Sequence, residues 1–251
     1  MKQLLLTTIV LSFFLSSCHS GYTEKDGKIY YKWIHGGHWT REYSLVEGAD
    51  VATFTTINQS TNSYLGKDKN HVYIGASVLA FADPATFEQI RDYYWKDKSH
   101  VFLLQFGGDT CVIKDADPAT FEILGDDNWG RDQQNVYYKF DKLPNCNASQ
   151  FTVINEAWGK DDKRYFYNHK PVNLLDYSSA RVLSTYYIID KNHVFCQDSL
   201  IPDADVKTFM VEPNCDGSFG HDKTNRFNWY TNEGPITPEY RKMYMEEKQT
   251  N

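Results

Sequence analysis

The feature that most constrains this chain is an internal repeat. Lys67-Asp68-Lys69-Asn70-His71-Val72-Tyr73 returns as Lys96-Asp97-Lys98-Ser99-His100-Val101-Phe102 and as Asp190-Lys191-Asn192-His193-Val194-Phe195. Arg131-Asp132-Gln133-Gln134-Asn135-Val136-Tyr137 and Asp161-Asp162-Lys163-Arg164-Tyr165-Phe166-Tyr167 keep the frame with changed polar residues. Weaker copies stand at Lys25–Tyr31 and His221–Phe227. With the Asp as phase marker the period is about 30 residues, too short for a unit to bury a hydrophobic face alone, so neighbouring units must share a core.

A second motif alternates with the first. It reads Ala49-Asp50-Val51-Ala52-Thr53-Phe54, Ala82-Asp83-Pro84-Ala85-Thr86-Phe87, Ala116-Asp117-Pro118-Ala119-Thr120-Phe121 and Ala204-Asp205-Val206-Lys207-Thr208-Phe209, with a reduced copy at Ala148–Phe151. Between Asn173 and Leu183 no copy is recognisable. The alternation resembles the DKNYM family of bacterial repeat proteins over roughly residues 22–230. That resemblance carries no assigned catalytic residue with it.

The residues alone give each unit a shape. Val72-Tyr73-Ile74 and Val101–Leu104 are β-branched and aromatic runs, which read as strands. The Asp-Lys-Asn or Asp-Lys-Ser before them is a turn whose carboxylate bonds nearby N–H groups. In Asp83-Pro84 the Asp suits a cap and the Pro the first position of a helical turn, leaving Phe87 and Phe121 to face the core. The expected fold is all-β, a tandem, solenoid-like array of β-hairpin repeats, with a small-bladed β-propeller as the alternative. After Pro238 the apolar spacing, with Thr237 as N-cap, predicts a short C-terminal helix over the last unit's edge.

The N-terminus has the layout of an export signal: Lys2, an apolar stretch Leu4–Leu15, then Ser16-Ser17 before Cys18. Leu15-Ser16-Ser17-Cys18 resembles the lipobox of bacterial lipoproteins, and that resemblance makes Cys18 the lipid-bearing mature N-terminus. Two or more acyl chains give stable attachment, at about 0.8 kcal/mol per buried methylene. The expected organisation is therefore a signal peptide over 1–17, a repeat domain over 18–235 and a helical tail over 236–251. The expected location is the bacterial cell envelope. His19 in place of the Asp that resembles an inner-membrane retention signal favours the outer membrane.

The chain carries a formal net charge of −7, and loss of Lys2 makes it more negative. Phosphate-backbone binding needs basic stripes, so nucleic acid is excluded as a partner. Four cysteines remain after Cys18, and an exported chain favours disulfides. Cys196 with Cys215 and Cys111 with Cys146 is the expected pairing, since each joins neighbouring stretches, with buried thiols and a metal site as the other options.

Candidate chemistry is sparse. His71, His100 and His193 share one repeat phase, which suits either an imidazole ladder or a half-buried turn slot; His35-Gly36-Gly37-His38 suits a metal pair or a hairpin loop flanked by Trp33 and Trp39. The carboxylates of Asp126, Asp127, Asp132, Asp161 and Asp162 match no calcium loop. Nucleotide-binding, serine-hydrolase and zinc-protease motifs are absent. No catalytic residue, metal or cofactor is therefore expected. Tyr93, Tyr94, Trp95, Trp129 and Trp158 precede the turns and form a candidate surface for a glycan or protein, or else a packed core.

The functional expectation is a membrane-anchored interaction module. Its rival is an envelope glycan hydrolase with a carboxylate pair. Such a pair should include a partly buried carboxylate in a cleft, whereas repeat turns are expected to leave their aspartates in solvent.

Overall fold

The computed structural model describes residues 20–35, 40–57, 64–105, 111–212 and 215–245. The lipobox with Cys18 and most of the His35–His38 pattern lie outside them. The chain divides into two compact units, Met1–Ala85 and Thr86–Asn251. Among the described residues the fold is a tandem series of seven antiparallel sheets, each hydrogen-bonded within itself in chain order.

The first unit holds two sheets. Sheet one pairs Gly21–Lys25, Lys28–His35 and Thr40–Leu45; sheet two is the meander Thr55–Ile57, Leu65–Lys67, Val72–Ile74 and Ser77–Val78. The weak repeat copy at Lys25–Tyr31 proves to be of a different kind. Asp26 and Gly27 form a tight hairpin at φ 52° and 68°, and Asp26 is exposed.

The second unit holds the other five. Sheet three comprises Glu88–Arg91, Tyr94–Lys96 and Val101–Leu103, with Val112 bridging to Phe102. Sheet four runs Glu122–Leu124, Trp129–Arg131, Val136–Tyr138 and Asp141–Lys142, and sheet five Thr152–Val153, Trp158–Lys160, Tyr165–Tyr167 and Lys170–Pro171. Sheet six runs Arg181–Val182, Tyr187–Ile189, Val194–Cys196 and Ser199–Ile201, and sheet seven Met210–Val211, Phe219–His221, Asn225–Asn228 and Thr231–Pro235.

Consecutive residues of the inner strands are buried, as in Val101-Phe102-Leu103 and Val194-Phe195-Cys196. A strand buried at successive positions is covered on both faces. The cover is the neighbouring sheet. Tyr94, Leu103, Phe121 and Tyr137 form one core between sheets three and four, and Trp129, Leu143, Phe151 and Phe166 another between four and five. Outer strands such as Asp141–Lys142 are exposed and charged, which discourages edge pairing.

Hydrogen bonds fix the spacing between sheets. The large aromatic that opens the second strand donates to a backbone carbonyl of the next sheet: Tyr94 Oη to Asp127 O (2.8 Å), Trp129 Nε1 to Asn155 O (3.0 Å), Trp158 Nε1 to Ser184 O (3.0 Å) and Tyr187 Oη to Ser218 O (2.9 Å). The cation that closes the same strand also reaches forward, Lys67 to Pro84 O, Lys96 to Pro118 O and Arg131 to Ala148 O. In the last sheet this place is taken by His221, which turns to the buried Glu212 instead, Nδ1 to Oε1 2.7 Å. The predicted helix follows as Pro238–Tyr240 and a π turn Arg241–Met245. Thr237 caps it by accepting from Tyr240 N (3.2 Å), and buried Tyr240 lies under Arg226.

Candidate functional site

The repeat aspartates are not solvent groups. Asp68, Asp97, Asp132, Asp161, Asp190 and Asp222 are each no more than 4 % exposed. Asp68 Oδ1 accepts the N–H of Asn70 (2.7 Å) and His71 (2.8 Å); Oδ2 accepts the N–H of Asp50 (2.7 Å) and the Tyr73 hydroxyl (2.8 Å). The same clasp joins the two motifs of later units, with Asp117, Asn147, Asp176 and Asp205 donating their N–H to Asp132, Asp161, Asp190 and Asp222 at 2.8–3.1 Å. A hydroxyl closes it from the other side. Thr53, Thr86, Thr120, Ser179 and Thr208 accept the N–H of Lys69, Lys98, Gln133, Lys191 and Lys223.

This clasp corrects two expectations. Among the described residues the buried carboxylates are the six repeat turns and Glu212, which pairs with His221, so burial does not mark a catalytic pair. The second motif is also present in the stretch from Asn173 to Leu183, as Asp176-Tyr177-Ser178-Ser179-Ala180, keeping the Asp and the hydroxyl while losing the Phe.

Burial opposes the charge on Asp68, Asp132 and Asp190, yet the backbone N–H groups outweigh it and hold all three below the ordinary carboxylate range. A lowered folded pKa gives stability that is present above the unfolded value, about 3.9, and lost as pH falls through the folded one. The urea midpoint is therefore expected to stay level from pH 7 to about 5 and to fall below about 4. A midpoint unchanged down to about pH 2.5 would contradict the clasp.

The candidate aromatic surface is core. Tyr94, Trp95, Trp129 and Trp158 are buried, with Trp95 stacked on Phe87 at 4.9 Å, and Tyr93 is half-buried. The four buried rings are packed in the interior, so they are not available to a ligand. No disulfide forms either: Cys111, Cys146, Cys196 and Cys215 are thiols. Cys111 sits in sheet three beside Leu103 whereas Cys146 packs in the core between sheets four and five. Cys196 is buried in the core with Tyr187 and Phe227, and Cys215 is half-buried in a loop. Burial pushes the thiols of Cys146 and Cys196 up to about 12, which makes them unreactive.

His71, His100 and His193 occupy the turn, where His193 Nδ1 lies 3.3 Å from its own unit's Asp190. No three metal-ligating side chains converge among the described residues. Asp127 pairs with Arg91 (3.0 Å), Asp126 accepts from Asn128 N, and Asp162 accepts from Asn147.

Sequence reading missed one feature. The last two hairpin tips enclose an open depression lined by Gln197, Asn228, Trp229, Tyr230 and Thr231. Aligning Cys196-Gln197-Asp198-Ser199 with Asn228-Trp229-Tyr230-Thr231 would have shown two adjacent aromatics at a tip that in the other sheets carries at most one, Phe140.

Seven short antiparallel sheets among the described residues, six of them with a buried aspartate turn, define an all-β tandem-repeat protein. The family model of the DKNYY family matches residues 22–170 and again 158–250. The chain belongs to that family. No curated protein and no solved structure matches it.

Proposed function

We propose that this DKNYY-family protein is a bacterial envelope lipoprotein, anchored through lipid on Cys18, whose repeat domain is a rigid interaction module. The observation that carries the module reading is the destination of the recurring polar residues. In the clasps the Asp is engaged with its own unit, as are the hydroxyls of five of them and the Lys of three, Lys69 with Asp50 and Lys191 with Asp176 at 2.7 Å and Lys223 with Asp205 at 3.0 Å, so they serve the scaffold. A scaffold built this way displays whatever side chains its outer strands and hairpin tips carry, the use that solenoid proteins make of their surfaces. The anchor reading rests on Leu15-Ser16-Ser17-Cys18.

The test is metabolic labelling with a clickable fatty acid in the native host, comparing the wild type with Cys18→Ala, followed by membrane fractionation and surface protease treatment. Label in the wild type and none in the variant, with a protease-sensitive wild type, is the expected result. Absence of label from both would remove the anchor.

A further inference from the structure

Five of the tips that join the third and fourth strands of a sheet are two-residue connections whose first residue has positive φ: Gly75, Lys139, Asn168, Gln197 and Trp229. Gly and Asn suit that conformation, whereas a bulky aromatic is an outlier. Trp229 nevertheless holds φ 54°. Its N–H bonds Ser218 O (2.9 Å), its carbonyl accepts the Tyr187 hydroxyl (2.7 Å), and its ring packs on Tyr186 with centroids 4.5 Å apart. Two backbone hydrogen bonds thus fix the tip, and one ring contact orients the indole. Tyr230 beside it is 62 % exposed. Strain retained at a surface aromatic that packing over-determines is a sign of use.

The depression under these rings has a volume of about 420 Å³, within the range of small-ligand sites. Its lining is uncharged: two aromatic rings, the amides of Gln197 and Asn228, and the Thr231 hydroxyl. The one carboxylate beside it, Glu233, bonds Asn228 Nδ2 (3.4 Å) and is balanced by Arg226 (3.5 Å), so the lining offers no free counter-charge for an anion or cation, and it has no deep apolar slot for a peptide side chain. A neutral sugar ring meets it on both counts, since its C–H face stacks on an aromatic while its hydroxyls pair with amides, which donate and accept side by side.

We propose that the Trp229–Tyr230 tip, with Gln197, Asn228 and Thr231, is a binding site for neutral glycan chains. The assignment rests on the interaction-module reading and names its ligand class, but it is independent of the anchor.

The test uses the full chain, from whichever cell fraction it partitions into, titrated with neutral hexasaccharides of glucose, N-acetylglucosamine, mannose and xylose up to about 10 mM, read by calorimetry and tryptophan fluorescence. Saturable binding to at least one of them is expected. Tyr230→Ala, at an exposed ring whose loss leaves Tm unchanged, is expected to weaken it at least tenfold, and Trp229→Ala at least as much. No binding to any of the four, or binding within twofold of wild type in Tyr230→Ala, would overturn the site. Binding of a peptide library in place of the sugars would overturn the glycan class. The fatty-acid experiment reads Cys18 alone, so failure of the anchor and failure of this site are separate results.

Discussion

Asp132→Ala is expected to destabilise the protein by about 4 kcal/mol, since it strips partners from several buried donors at once. Asp132 Oδ1 accepts the N–H of Gln134 (2.8 Å) and Asn135 (2.7 Å), and Oδ2 accepts Asp117 N (3.1 Å) and the Tyr137 hydroxyl (3.0 Å). Hydrogen bonds to a charged acceptor contribute about 1.5–3 kcal/mol each, and a shared loss falls below their sum because water and rotation restore some partners. Asp132→Asn retains one acceptor oxygen and is expected to cost less, about 2 kcal/mol. Asp26→Ala, at the exposed hairpin that resembles the repeat only in sequence, should change stability by less than about 0.5 kcal/mol. Urea unfolding measures all three. Repeat arrays can lose cooperativity, so hydrogen exchange at Gln134 and Asn135 should report local opening even where the global transition blurs. An Asp132→Ala protein within about 1 kcal/mol of the wild type would mean that the clasp is not a stability element.

The contrast between Asp26 and Asp132 shows what the sequence carried and what it did not. Turn chemistry is local, so the Asp-Lys-Asn turns, the strands after them and the period could be read from neighbouring residues. Burial of the Asp was not legible, because its other partner lies 14 to 18 residues upstream and becomes a neighbour only when the meander closes. The same distance hid the second motif at Asp176–Ala180. Its most conspicuous letter, the Phe, had gone, while the Asp and Ser that make the contacts remained.

The aromatics failed as a surface for a different reason. A strand packed on one face alternates polar and apolar residues, but these strands are covered on both, so Tyr94-Trp95 and Val136-Tyr137 carry no alternation to say which ring is inside. Trp229 and Tyr230 follow the last turn, where the repeat is weakest and its letters no longer set the tip apart. What the turns hold is scaffold; what the tips vary is the surface a ligand can reach.

Gly159→Ile and Phe151→Ala are each expected to be severely destabilising, and together to compensate one another. A Cβ built on Gly159 would press into the Phe151 ring closer than real Cβ contacts come. The same holds for Gly130 against Phe121, for Gly66 against Phe54 (2.5 Å) and for Gly220 against Phe209 (2.6 Å). In four sheets the Phe of the second motif therefore lies over a glycine in the middle of the second strand. Sheet six makes the opposite choice with the same spacing: Ala180 stands at the Phe position and buried Ile188 at the Gly position, in one core cluster. Gly159→Ile alone overpacks the site at about 3 kcal/mol, and Phe151→Ala alone leaves a cavity at about 3–5 kcal/mol. The double variant recreates the Ala180–Ile188 arrangement one sheet earlier, and an isoleucine also suits a strand better than a glycine. Its loss is expected to fall at least about 2 kcal/mol short of the sum of the singles. Double-mutant urea unfolding reads the coupling directly. Additivity within about 0.5 kcal/mol would show that the ring and the glycine do not share one space, and that the exchange seen in sheet six is not what allows its altered motif to fold.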